Sequence, residues 1–148
     1  MPELPTYPRE PTDLVPALNE EASGRLPDLL GQEIVELSKG HAVMRCEVGR
    51  RHTAPNGYLH AGAVVALADT TAGYGCVASW PDGAIGFTTI EMKANFLRTL
   101  LDGVLVATAR LVHGGRTTQV WDVEVTAEED GRPLALLRCT QLILYPSS

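Results

Sequence analysis

Residues 61–80 read AGAVVALADTTAGYGCVASW, and where this stretch is buried decides the fold. It is long enough to cross a bilayer. It carries one charge, Asp69, near its middle, where a carboxylate costs about 2.5–3.5 kcal/mol on insertion scales. Gly62, Thr70, Thr71, Gly73 and Gly75 dilute its apolarity further, and no second candidate span occurs. The stretch therefore reads as a helix from His60 to Pro81, apolar nearly all round and buried inside protein. Pro81-Asp82-Gly83 ends it in a turn.

Before this helix comes a polar loop, Gly49–Leu59, containing Pro55-Asn56-Gly57. Two strands precede the loop, Glu33–Ser38 and His41–Val48, joined by Lys39-Gly40. In the second, Ala42, Met44, Cys46 and Val48 share one face, with His41, Arg45 and Glu47 on the other. A short amphipathic helix is expected over about Leu18–Leu30, limited by Gly24 and Pro27. Residues 1–16 hold five of the ten prolines, so they read as an extended or poorly ordered arm. After the long helix come four strands: Ile85–Arg98, Gly103–Val112, Thr117–Ala127 and Leu134–Tyr145. Their short Gly-containing connectors, Leu101-Asp102-Gly103, His113-Gly114-Gly115 and residues 129–133, favour antiparallel hairpins.

Two strands, one long helix and four strands imply an α+β fold, an antiparallel sheet curled around a single central helix. One domain, residues 17–148, accounts for it, as the length of 148 residues requires. Both phases of the late strands carry apolar groups, Val120 beside Trp121 and Leu136 beside Leu137. The sheet is therefore expected to be covered on both faces, by assembly into a homo-oligomer.

Apolar residues at 45% and charged residues at 20% exclude wholesale disorder. A net charge of −6 argues against nucleic-acid binding, leaving room for a local basic pocket. Cys46, Cys76 and Cys139 fit neither a disulfide framework nor a zinc pattern and read as small buried hydrophobes. The acidic, proline-rich N-terminus lacks a secretory pattern, so a cytoplasmic protein with no membrane association is expected. No Gly-x-Ser-x-Gly elbow, metal-binding His pair or phosphate loop occurs, so neither metal nor cofactor is expected.

The chemistry concentrates on the long helix. Asp69 is the only charged residue between His60 and Asp82. A buried carboxylate needs partners or work to do. It is either a packing group hydrogen-bonded to Thr side chains or backbone amides, or a general base or nucleophile. The helix start supplies unpaired N–H groups and the positive dipole end near Ala61, Gly62 and Ala63, where small side chains admit a carbonyl oxygen. His60 stands beside them, as a cap or as a group that orients a ligand. Eight residues of helix place Asp69 about 12 Å from Ala61 along the axis. If both serve one reaction, they come from two subunits whose helices run antiparallel across a two-fold axis.

The runs NGYLHAGAVVALADTTAGYGC and TTIEMKANFLRT resemble the hotdog-fold acyl-CoA thioesterases of the phenylacetic-acid-degradation and hydroxybenzoyl-CoA type. The resemblance covers about Gly31 to Tyr145. It implies a hotdog fold and hydrolysis of an aryl- or medium-chain acyl-CoA to free acid and coenzyme A, which is part of the substrate. In it, Asp69 matches the acidic catalytic residue, His60 the loop histidine, and the Ala61 N–H the amide that polarises the carbonyl. Thr89 matches a Ser or Thr that positions the water or the carboxylate. Arg98, Arg116 and Thr117 are contacts for the nucleotide and phosphates, or ordinary surface groups. The assembly it implies is a tetramer.

Two positions depart from the pattern. Ala61 replaces the first Gly of His-Gly-Gly, and Ala54 stands where many relatives carry Asn or Gln. Asn56 supplies an amide from a differently shaped loop, or simply makes an Asn-Gly turn. A good leaving group lets a carboxylate and a helix N-terminus suffice for thioester cleavage. The alternatives are a non-catalytic acyl-CoA-binding or sensing domain and an acyl-thioester dehydratase or hydratase.

Overall fold

A computed structural model describes residues 11–147, with side chains from residue 14. Its elements are α1 (Pro11–Glu21), α2 (Leu26–Leu29), β1 (Gln32–Ser38), β2 (His41–Glu47), α3 (Ala61–Ala78), β3 (Gly86–Phe96), β4 (Val104–Gly114), β5 (Thr118–Ala127) and β6 (Pro133–Leu144). The six strands form one antiparallel sheet in the order β1-β2-β4-β5-β6-β3. The sheet wraps α3, which packs against all six strands. This is the expected curled sheet around one central helix.

Period-two alternation aims one row of side chains at α3. Met44, Ala107, Val125 and Ala135 lie in register on that inner face, and so do Trp121 and Cys139. All six are buried. The helix is shaped to receive them. A Cβ on Gly73 would stand 2.8 Å from the Phe87 ring, and one on Gly75 would stand 2.7 Å from the Trp121 ring. Glycine at both positions lets the two aromatic rings press against helix backbone. At the C-terminal end, the buried Gln119 donates to Ser79 O at 2.8 Å, and the Gly40 N–H donates to Ser79 Oγ. The first of these bonds satisfies a carbonyl otherwise orphaned at the helix end.

Several expectations need correcting. The single helix over Leu18–Leu30 is two helices. Gly24, at φ +70°, breaks the chain between them, and Pro27 falls in the first turn of α2. The first begins earlier than expected, at Pro11, because Leu14 and Leu18 lie one turn apart and both bury in the core. Pro11–Pro16, drawn as part of the arm, are thus helical, and residues 1–10 lie outside the described residues.

The connector through Leu101-Asp102-Gly103 is not a hairpin. Strand β3 pairs with β6, and β4 lies between β2 and β5, so residues 97–103 cross the end of the sheet. Three strand spacings are only about 14 Å, well within reach of such a segment. Hydrogen bonds from Leu97 and Arg98 N–H to Leu134 O, and from Val48 N–H to Gly103 O, hold it at both ends.

The helix is less enclosed than expected: half of it is buried by its own chain. Nor is the outer sheet face covered by this chain. Trp121 and Leu137 point inward and are buried, whereas Leu136 is 47% exposed beside the Asp122–Arg138 ion pair. All three cysteines are buried and free, as expected.

Candidate active site

The approach to α3 is fixed by a residue the sequence did not single out. His52 is buried in a single 3-10 turn, Arg50–His52. Its Nδ1 accepts the Gly49 N–H at 2.8 Å, so the proton sits on Nε2, which donates to Leu30 O at 2.7 Å. The backbone carbonyl of His52 accepts the His60 N–H at 2.8 Å. Between them, residues 53–59 form a tight hairpin. The Ala54 N–H donates to Tyr58 O, the Gly57 N–H donates to Ala54 O, and Gly57 turns at φ +86°. The Leu59 N–H donates to Thr99 Oγ1 at 3.2 Å, tying the helix start to the 97–103 crossing.

His60 is the N-cap of α3. It is exposed, and its Nδ1 accepts the Gly62 N–H at 2.8 Å. The Ala63 and Val64 N–H groups donate to His60 O. Among the described residues, this leaves the Ala61 N–H as the first-turn amide with no bond. The expectation that Ala61 and Gly62 both face a ligand is therefore narrowed. The Gly62 amide is committed to the cap, and a Cβ there would stand 2.9 Å from His60 Nδ1.

Two turns further along, Asp69 is partly buried. The hydroxyls of Thr70 and Thr71 turn back to Ala66 O and Leu67 O and do not serve it. Its partner comes from the sheet: Thr89 Oγ1 lies 2.8 Å from Asp69 Oδ1. Behind Thr89 stand Gln141 Oε1 at 2.9 Å, and Cys139 Sγ at 3.8 Å from Asp69 Oδ1. Burial, and then the charge of Asp69, pushes the Cys139 thiol up to about 12, so it stays neutral beside the carboxylate. Gln141 and Cys139 were missed in the sequence. Their signal is weak: Gln141 is a polar residue in the inward phase Leu137, Cys139, Gln141, Ile143 of β6.

The remaining expected residues separate. Asn56 is exposed, and its Oδ1 accepts the Tyr58 N–H at 3.2 Å, the geometry of an Asn-Gly turn. Arg98 lies by the start of β6, donating to Pro133 O at 3.0 Å, and so sits near Thr99 and the start of α3. Arg116 and Thr117 lie by the other end of β6. The Arg116 guanidinium stacks on Tyr145, and Thr117 O accepts the Ile143 N–H. Ten residues of strand separate these ends by about 30 Å. Arg98 and Arg116 therefore do not form one phosphate subsite within a chain. Asp69 and the Ala61 amide are likewise apart within one chain, by about 12 Å along the axis.

Comparison with known proteins agrees with this architecture. The Thioesterase superfamily model matches residues 56–134. A 1,4-dihydroxy-2-naphthoyl-CoA hydrolase of Listeria monocytogenes is 39% identical over 115 residues, covering 78% of this chain and 92% of that protein. A mutant thioesterase of Pseudomonas aeruginosa superposes with a TM-score of 0.82 at 32% identity, covering 88% of this chain and 93% of that one. A hypothetical thioesterase of Streptococcus pneumoniae, solved with coenzyme A, gives 0.70 at 30% identity, covering 79% and 91%. With its sheet wrapped around one helix and its motif residues on that helix, the chain belongs to the thioesterase superfamily and is a thioester hydrolase of the hotdog fold.

Proposed function

We propose that the protein hydrolyses an aryl- or medium-chain acyl-CoA to the free acid and coenzyme A, with Asp69 as the reactive carboxylate. The observation that carries this reading is the partly buried Asp69 held by Thr89, on the same helix whose Ala61 N–H is uncommitted. The naphthoyl-CoA hydrolase among the relatives favours the aryl arm of the substrate range.

In the reaction, the thioester oxygen accepts the Ala61 N–H at the positive end of α3, which draws electron density from the carbonyl carbon. The Asp69 carboxylate of a second copy then acts in one of two ways. It bonds to that carbon as the thiolate leaves, giving an anhydride that water opens, or it takes a proton from the water that attacks. Both routes consume one water and yield acid and thiol. His60, exposed at the helix start with Nδ1 capping the helix, orients the thioester. Arg98, near the helix start, contacts the phosphates of coenzyme A. Arg116 and Thr117 serve the same substrate only from a second copy. The separation of about 12 Å between Ala61 and Asp69 makes the working unit a homodimer at least, and the resemblance extends it to a tetramer.

A thiol-release assay over aryl- and medium-chain acyl-CoA substrates, with Asp69→Asn beside wild type, tests this. Wild type should release thiol, and Asp69→Asn should fall at least about 100-fold. Binding without release by either protein would make the domain a sensor. Consumption of an enoyl thioester without thiol release would make it a hydratase. Release undiminished in Asp69→Asn would remove Asp69 from the chemistry.

A further inference from the structure

Four side chains on the inner face form a line: Asp69 on α3, Thr89 on β3, and Gln141 and Cys139 on β6. Gln141 and Cys139 are fully buried. Gln119, opposite Gln141 on β5, is committed elsewhere, to Ser79 O and to the Trp121 indole N–H. The Gln141 amide therefore turns to Thr89 and Cys139.

Thr89 has one hydroxyl proton and two acceptors within reach, Asp69 Oδ1 at 2.8 Å and Gln141 Oε1 at 2.9 Å. It can serve only one of them. Gln141 donates from Nε2 to Cys139 Sγ at 3.1 Å, which turns its Oε1 toward Thr89. The Cys139 thiol in turn stands 3.8 Å from Asp69 Oδ1. The Thr89 hydroxyl is therefore held between two oxygens, one on the carboxylate and one on an amide whose own orientation is fixed by Cys139.

We propose that Gln141 is a positioning residue: anchored through Nε2 on Cys139, its Oε1 holds the Thr89 hydroxyl against Asp69 Oδ1 and so aims that carboxylate. This rests on the reading of Asp69 as the reactive group. Titratable neighbours are few. Cys139 faces Asp69 directly, Glu91 on β3 acts on Cys139, and Cys139 acts in turn on Cys76 of α3. Burial pushes both thiols up to about 12, so neither is charged near neutrality. Glu91 lies on the outer sheet face, with Oε2 at 3.3 Å from Thr140 Oγ1. The place of the Thr89 hydroxyl is therefore set by Gln141.

The test measures kcat and KM for thiol release, from pH 5 to 9, on the full chain. The variants are Thr89→Val, Gln141→Met, the double variant, Thr89→Ser, Gln141→Glu and Asp69→Asn. Gln141→Met should lower kcat about 3- to 10-fold at unchanged KM, and Thr89→Val by more. The double variant should be no slower than Thr89→Val alone, because Gln141 acts through the hydroxyl that is already gone. Thr89→Ser, which keeps that hydroxyl, should stay within about threefold of wild type. Gln141→Glu should move the acid limb of the pH profile upward by about one unit or more. Additive losses in the double variant would overturn the proposal, as would wild-type kcat in Gln141→Met. An unmoved acid limb in a folded Gln141→Glu would overturn it too. If Gln141→Glu does not fold, the cycle between Thr89→Val and Gln141→Met decides alone. Wild-type rates in Asp69→Asn would instead sink the reading of Asp69, whatever Gln141 does.

Discussion

At the scale of single residues, Ala61 offers the cleanest separation of chemistry from folding. It is the first helical residue, where proline is tolerated because its missing N–H would have no helical partner. His60 already has the extended backbone that a following proline demands, with φ −72° and ψ 130°. Ala61→Pro should therefore keep the melting temperature of wild type while lowering kcat by about 100- to 1000-fold, the cost of losing an oxyanion donor. Thermal unfolding beside the thiol assay checks both halves, and a fully active Ala61→Pro would take that amide out of the site. Asp69 is legible in the sequence because a lone charge in an apolar helix stands out against its surroundings. The commitment of the Gly62 amide is not legible, since it depends on His60 folding back over one turn. Nor are Gln141 and His52, whose importance lies in what their two polar ends reach across the fold.

At the scale of elements, the fit of α3 to the sheet rests on missing side chains. Gly75→Ala would drive a methyl to within 2.7 Å of the Trp121 ring, in a core where that ring is fully buried and cannot yield. Urea unfolding should show a loss of about 1–3 kcal/mol, the usual cost of overpacking. The buried thiols add a pH dependence. Cys76 and Cys139 are pushed up to about 12, chiefly by burial, while in the unfolded chain they titrate near the ordinary thiol value. Their contribution is complete below that ordinary value. As pH rises through about 9 toward 12, the unfolded chain sheds protons that the folded one keeps, so stability falls by up to about 1.4 kcal/mol per pH unit for each thiol. Urea midpoints at pH 8 and pH 10 should show the drop, and Cys76→Ala should remove part of it, the rest coming from Cys139 and from Cys46, which burial also pushes up. The strands are legible almost to the residue from their alternation. The first helix is not, because proline content argues for an arm whereas the burial of Leu14 and Leu18 wins.

At the scale of the whole molecule, the order of strands escapes the sequence. The short connector before β4 carries hairpin residues yet bridges three strand spacings, because β3 closes the sheet beside β6. What that edge meets is a matter of assembly. Ile85 and Ile90 on and beside β3 are 38% and 54% exposed, an apolar edge of the kind that invites a second copy. The proposed completion of the site by a second chain has a direct consequence for mixtures. Inactive Asp69→Asn and inactive Ala61→Pro chains, unfolded and refolded together in equal amounts, should recover about a quarter of wild-type activity. Half of the dimers would then be mixed, and each mixed dimer has one of its two sites intact. A mixture that stays silent would place both groups of a site in one chain. The buried His52 has a different consequence. Its ring is bolted to Leu30 and Gly49, and its carbonyl holds the amide of His60, so the chain entering α3 is clamped upstream of the hairpin at residues 53–59. Residues 54–58 form an exposed or half-buried tip beyond that clamp. An insertion there should therefore lengthen the loop while leaving the pole of the helix in place.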